Sequence, residues 1–178
     1  MAQSRNNPRR LAKSVWLLGI LAFAAPALAA LATLVLGRYE GCARGAAACG
    51  KLPALGLFFK QSLDVAWMLG VNAVPLILLT GIVALAAILA RSPGRAFVGV
   101  FGGPTAALLL PILVVMSALY PGCRIEEGGS CQFWGVAMGN SFSAAAVAPW
   151  LIYLIPPVGF AAALAVTLIA FIVKRQRV

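Results

Sequence analysis

Four stretches of the chain carry no charged side chain at all: residues 14–37, 65–90, 96–123 and 128–173. Each exceeds the roughly 18 apolar residues that read as a membrane-crossing helix. The pattern predicts an all-α integral membrane protein with four transmembrane helices. On the first run, small residues recur at four-residue spacing, as Ala25, Ala29 and Thr33 and as Ala22, Pro26 and Ala30. Small residues at that spacing let helix backbones approach closely in lipid. The first crossing is expected over about 14–36, with Pro26 bending it or marking a close contact.

Two runs are too long for one crossing. Leu52 to Ala90 is 39 residues and 128–173 is 46, whereas about 20 to 25 residues span the hydrocarbon even when tilted. The excess predicts a short interfacial helix near 53–60, where Leu55, Leu57, Phe58 and Phe59 dip among headgroups while Lys51, Lys60 and Gln61 stay wet. A second is expected near 132–142, with Phe133, Trp134, Val136 and Met138. Ser62 then caps the second crossing with Asp64 in its first turn, and that helix continues through Pro75 to Ala90. The third crossing covers about 96–119, with Gly99 and Gly103 four apart for close packing. The fourth covers about 147–173, and Pro149 with Pro156-Pro157 gives it a broken start.

The loops between crossings repeat. Tyr39-Glu40-Gly41-Cys42 with Cys49 is followed by Tyr120-Pro121-Gly122-Cys123 with Cys131, an offset of 81 for the first three matching residues and 82 for the second cysteine. Pro75 and Pro157, and Arg95 and Arg177, match at 82. The expected architecture is a single membrane domain over 1–178. It is built from two tandem helix–Cys loop–interfacial helix–helix repeats, about 14–92 and 95–174. Each repeat crosses twice, so the copies are parallel and related by a pseudo-twofold axis along the membrane normal.

Composition confirms the class and charge orients it. The chain is 62% hydrophobic and 10% charged with a mean hydropathy of +0.98, far from the roughly 25% charge of soluble domains. The net charge of +10 does not point to nucleic acid, because of where it lies. Arg5, Arg9, Arg10 and Lys13 precede the first run, Arg91 and Arg95 flank Ser92-Pro93-Gly94, and Lys174, Arg175 and Arg177 close the chain. With four crossings these fall on one side, which the resistance of Lys and Arg to translocation makes cytoplasmic. The expectation is a multi-pass protein of the bacterial inner membrane, both termini cytoplasmic and both Cys loops periplasmic. Its basic tails would then face anionic lipid of the bilayer. Arg9-Arg10, the apolar run and Ala27-Leu28-Ala29 also resemble a secretory or twin-arginine signal; the run continues to Leu36, and it is read as an uncleaved helix.

Candidate chemistry is thin. Cys42, Cys49, Cys123 and Cys131 face an oxidising compartment, where paired cysteines usually form disulfides. Local staples Cys42–Cys49 and Cys123–Cys131, or pairing across the two loops, all remain open, since spacing does not fix connectivity. Four crossings with a cysteine pair in each outer loop resemble the quinone-coupled disulfide-generating oxidases of the bacterial inner membrane, and more loosely the vitamin K epoxide reductases. That resemblance in topology and size implies thiol–disulfide exchange. The families depend on a Cys-x-x-Cys poised for exchange, whereas the spacings here are x6 and x7. A four-thiolate metal site does not suit an oxidising side or this spacing. No histidine is present, which removes His-ligated haem, His metal centres and His-based acid–base catalysis.

Transport would leave ionisable groups within the bilayer. Asp64 lies at the outer edge of the second crossing, readable as a proton carrier or as a first-turn partner of Lys60, and the latter is expected. Asn72 is the one amide at membrane depth and is expected to bridge two helices. Nothing points to a cofactor or a metal. The expected function is a non-catalytic small membrane subunit, or assembly and scaffold partner, of a larger inner-membrane complex. A membrane thiol–disulfide oxidoreductase is the alternative, and a small transporter or channel the second alternative.

Overall fold

Proline, glycine and asparagine decide where the helices stop. The computed structural model describes residues 8–42, 49–50, 52–119 and 132–176, with the side chains of 119, 139–150 and 152 outside the description. Helix α1, Pro8–Tyr39, runs through Pro26 for 32 residues, about 48 Å at 1.5 Å per residue. It ends where Gly41 takes φ +74°. The Gly41 amide donates to the Arg38 carbonyl and the Cys42 amide to the Gly37 carbonyl, at 3.2 and 2.9 Å. That pair of bonds is a Schellman cap, in which a left-handed glycine satisfies the last carbonyls of a helix. The Tyr-Glu-Gly-Cys tetrad is therefore a helix terminator whose final residue is a cysteine.

The second crossing is split, and not where Ser62 predicts. Helices α2, Leu55–Val71, and α3, Ala73–Leu89, meet at a 75° bend. In a continuous helix the Pro75 ring would strike the Val71 carbonyl, and its missing N–H would leave that carbonyl unbonded. The chain instead turns extended at Asn72, with ψ 120°, and the Asn72 side chain accepts from the Val74 amide at 3.1 Å. Asn72 is thus the N-cap of α3. Ser62 lies buried within α2, so the separate interfacial helix over 53–60 is absorbed into that helix.

Helix α3 ends in a second Schellman cap, here with Arg91 at φ 54° in place of glycine. The Arg91 amide bonds the Ile88 carbonyl and the Ser92 amide bonds the Ala87 carbonyl. Pro93 then opens α4, Pro93–Phe97, which passes through a π-helical stretch, Val98–Gly102, into α5, Gly103–Leu119. Pro104 explains the wider turn. It cannot donate to the Val100 carbonyl and would crowd it in an α-helix, and the Gly103 amide reaches back to Val98 instead.

The second interfacial helix is absent. Gln132–Phe133 (β1) and Val136–Ala137 (β2) form a minimal antiparallel hairpin across Trp134-Gly135. Both turn residues have positive φ, 49° and 77°, the signature of the tight turn that matches strand twist. The Trp-Gly pair therefore overrides the helical reading of 132–142. Helix α6, Gly139–Arg175, follows. It runs through all three of its prolines, so the broken start does not occur.

Among the described residues three helical spans are long and apolar enough to cross a membrane: Pro8–Tyr39, Pro93–Ala118 and Tyr153–Arg175. The bent α2–α3 pair makes a fourth if it counts as one span. This is an all-α fold compatible with a membrane protein. Trp16 and Val166 pack around Ala87, Ala96 and Ala170, which gathers the start of α1, the α3–α4 turn and the end of α6 at one basic end. At the opposite end Leu34, Leu55, Phe59, Ala118, Phe133 and Trp134 share the main core. Trp134 is only 2% exposed. A side chain on Gly37 of α1 would enter its ring, and one on Gly56 of α2 would meet its backbone carbonyl.

Close approach also joins α2 to α5, since any side chain at Gly70 would collide with the Ala107 carbonyl. Gly99 and Gly103 behave as expected, pressed against Val83 and Phe23. Gly81 differs, with no atom near an added Cβ. Gly70→Leu should therefore destabilise the protein by about 2 kcal/mol or more, because backbone cannot yield as a side chain can. Gly81→Ala should not destabilise it, and should gain up to about 1 kcal/mol from the better helix former. Reversible unfolding of both variants in mixed micelles checks the contrast.

Candidate functional site

Three places could carry function: the disulfide at the loop end, the polar residues of α2, and a groove beside α3. Cys42 and Cys49 are joined in a disulfide with their Cα atoms 5.2 Å apart. The cap at Gly41 aims Cys42 back at the bundle, where it packs against the main core, and Cys49 is buried. The bond thus fastens the chain leaving α1 to the core. Among the described residues no cysteine is free. Cys123 and Cys131 lie outside the described residues.

Lys60 and Asp64 form an ion pair at 3.4 Å, one turn apart on a half-exposed flank of α2. Such exposed pairs contribute about 0.5 kcal/mol. Asn72 lies eight residues further on, about 12 Å along the helix, and its amide is used by the cap rather than by a bridge between helices. Asp64 and Asn72 are therefore not brought together, and among the described residues no group of acidic or cysteine side chains could hold a metal ion.

At the two ends, cations are held by geometry. Arg38 donates to the Ser117 carbonyl at 2.7 Å, satisfying one of the last carbonyls of α5. At the basic end the Trp16 indole N–H donates to the Arg95 carbonyl at 2.9 Å, and the Arg95 guanidinium lies over the Trp16 ring at 5.7 Å. Arg175 lies over Phe171 at 5.0 Å. Both stacks keep a charge beside an aromatic ring at a helix end.

The groove was not foreseen. A lateral cleft of about 390 Å³ runs between α3, the π-helical stretch and α6, lined among others by Leu76, Thr80, Gly81, Pro104, Gly159 and Val166. Its one hydroxyl, on Thr80, is spent on the Leu76 carbonyl at 2.7 Å. The lining offers shape and apolar surface, with no group suited to proton or group transfer. Its traces in the sequence are Pro75 and Pro104, which open the backbone on two sides, and Gly81 and Gly159, which leave no side chain to fill it.

The chain matches no family model, no curated protein and no solved structure. What the geometry of the described residues defines is a class: an apolar helical fold compatible with a membrane, with the Cys42–Cys49 disulfide, a basic end and a lateral groove.

The disulfide reading makes a definite prediction. Alkylation of native membranes with and without prior reduction should find Cys42 and Cys49 oxidised throughout, unmoved by added quinone or a soluble dithiol. Replacing both by serine should cost roughly 2.5 kcal/mol, the loop-closure value for so short a ring.

Proposed function

We propose that the protein is a non-catalytic membrane subunit that assembles onto a larger inner-membrane complex. The observation that carries this reading is the poor internal use of α6. Only 11% of its apolar window is buried, against 33% for α1 and 50% for the α4–α5 span. Its outward flank shows Tyr153, Leu164, Leu168 and Phe171, all at least 44% exposed. At 100° per residue these positions share one side of the helix, away from the groove-lining Gly159 and Val166. Large side chains in such register suit packing against another helix.

Lys60 and Asp64 of α2 pair with each other, and Cys42 and Cys49 are closed in a disulfide. The alternative of thiol exchange gains no support from a cysteine pair packed into the core. We place the basic end, with both termini, on the cytoplasmic side and the disulfide on the periplasmic side, because Arg91, Arg95, Lys174 and Arg175 gather with the start of α1. We also retain the tandem duplication. Its supporting feature is a sequence match: the Tyr39-Glu40-Gly41-Cys42 tetrad that ends α1 in a Schellman cap recurs in type as Tyr120-Pro121-Gly122-Cys123, which lies outside the described residues. The interfacial elements have diverged, one absorbed into α2 and one a hairpin.

A photo-crosslinking residue at Leu168 or Leu164, expressed in the native membrane, tests the subunit reading. The expected result is one adduct of fixed mass in high yield from both positions and none from Leu113 on α5. Adducts only to lipid from all three positions would contradict it.

A further inference from the structure

The groove beside α3 ends near a cluster of cations, and the two together describe one ligand. We propose that the groove holds an acyl chain of an anionic phospholipid whose phosphate sits on the basic end of the bundle. This does not depend on the subunit reading, because the groove and the outward flank of α6 lie on different sides of that helix.

Depth comes first. Leu76 to Ala84 spans about 12 Å of α3, and Arg91 lies about 10 Å beyond Ala84, at 1.5 Å per residue. One leaflet supplies about 15 Å of hydrocarbon, half of the whole core. The groove therefore opens two helical turns below Arg91 and reaches toward the bilayer centre, the path of a chain hung from a headgroup. Val166 marks the shallow end: it lines the groove and also packs in the cluster that contains Trp16 and Ala96. The deep end, at Leu76 and Ile155, adjoins the bend at Asn72.

Charge comes second. Arg91 follows α3, and Lys174 and Arg175 end α6, two of the elements that bound the groove, while Arg95 lies in the neighbouring α4 at the same end. Among the described residues no acidic side chain lies at this end, since Glu40 and Asp64 belong to the loop half of the molecule. Arg91 is telling. It occupies the left-handed position of a Schellman cap, with φ 54°, where glycine is the relaxed choice and any other residue is strained. A charged side chain kept there against the backbone preference fits a role for that charge.

The lining comes third. Internal glycine contacts elsewhere are tight, as at Gly37, Gly56 and Gly70, whereas Gly81 meets nothing and Gly159 has only contacts of 3.9 Å. These two glycines shape an open wall. With the Thr80 hydroxyl already bonded within its own helix, the wall asks for a flexible, purely apolar occupant.

The test uses the intact protein in mild detergent, titrated with phosphatidylglycerol or phosphatidylcholine of identical chains and read by native mass spectrometry. The wild type should retain one phosphatidylglycerol in preference to phosphatidylcholine by roughly fivefold or more, the factor that one basic group near an anionic surface supplies. Gly159→Phe, which fills the groove, should lose both lipids. Arg91→Gly, which relaxes the cap while removing the charge, should keep lipid but lose much of the preference. Intact disulfide and an unchanged melting profile identify variants that have folded. Equal retention of the two lipids by the wild type would overturn the proposal. So would undiminished lipid on folded Gly159→Phe, or a wild-type dimer that this substitution dissociates, which would make a second copy the occupant.

Discussion

A single aromatic side chain holds the loop end of this protein together. Trp134 sits at the tip of a two-residue turn in a left-handed backbone conformation that tryptophan rarely takes. It is kept there by burial: its ring lies against Gly37 of α1, its backbone against Gly56 of α2, and its neighbours are Phe133 and Phe59, at ring distances of 4.4 and 6.2 Å. In lipid the hydrophobic effect does not press helices together, and association rests on close packing. Here one glycine receives the Trp134 ring and a second its backbone, which brings α1 and α2 onto the same residue. The short strands on either side serve to position it.

Much of this architecture was legible from residue types. The four uncharged runs became three spans and a bent pair, because absence of charge over such lengths has few other meanings. The local disulfide Cys42–Cys49 was among the pairings the spacing left open. The places where the reading failed share a cause. The break at Asn72 and the π-helical stretch at 98–102 are both set by a proline acting on a carbonyl four residues back, through Pro75 and Pro104. An apolar average cannot register that effect. The hairpin failed differently: Phe133, Trp134, Val136 and Met138 are as apolar as a helix face, and only the Trp-Gly turn distinguishes them. The Asn72 amide was given to a neighbouring helix, whereas the backbone break beside it supplied a nearer donor.

The candidate site was less legible still, since a groove is made of what is missing. Gly81, Gly159 and two prolines leave space that no motif announces. The features that chemistry would notice among the described residues, Asp64, Cys42 and Cys49, turn out to be paired within the fold. The function we propose resides in surfaces: a bare flank of α6 for a protein partner, and a cleft with a cationic rim for a lipid. Both follow from a chain whose ionisable groups lie mostly at its ends and loops, with the Lys60–Asp64 pair on a flank of α2, and whose interior is sculpted by glycine and proline.

The claim on which the rest stands is that Trp134 clamps α1 to α2. Reversible unfolding of Trp134→Ala in bicelles, followed by a probe away from the loop end, measures it directly. The account predicts a loss of about 3–5 kcal/mol, the cost of emptying a buried aromatic site. A loss below about 1 kcal/mol, the range of ordinary surface substitutions, would contradict it and leave the hairpin as a passive cover.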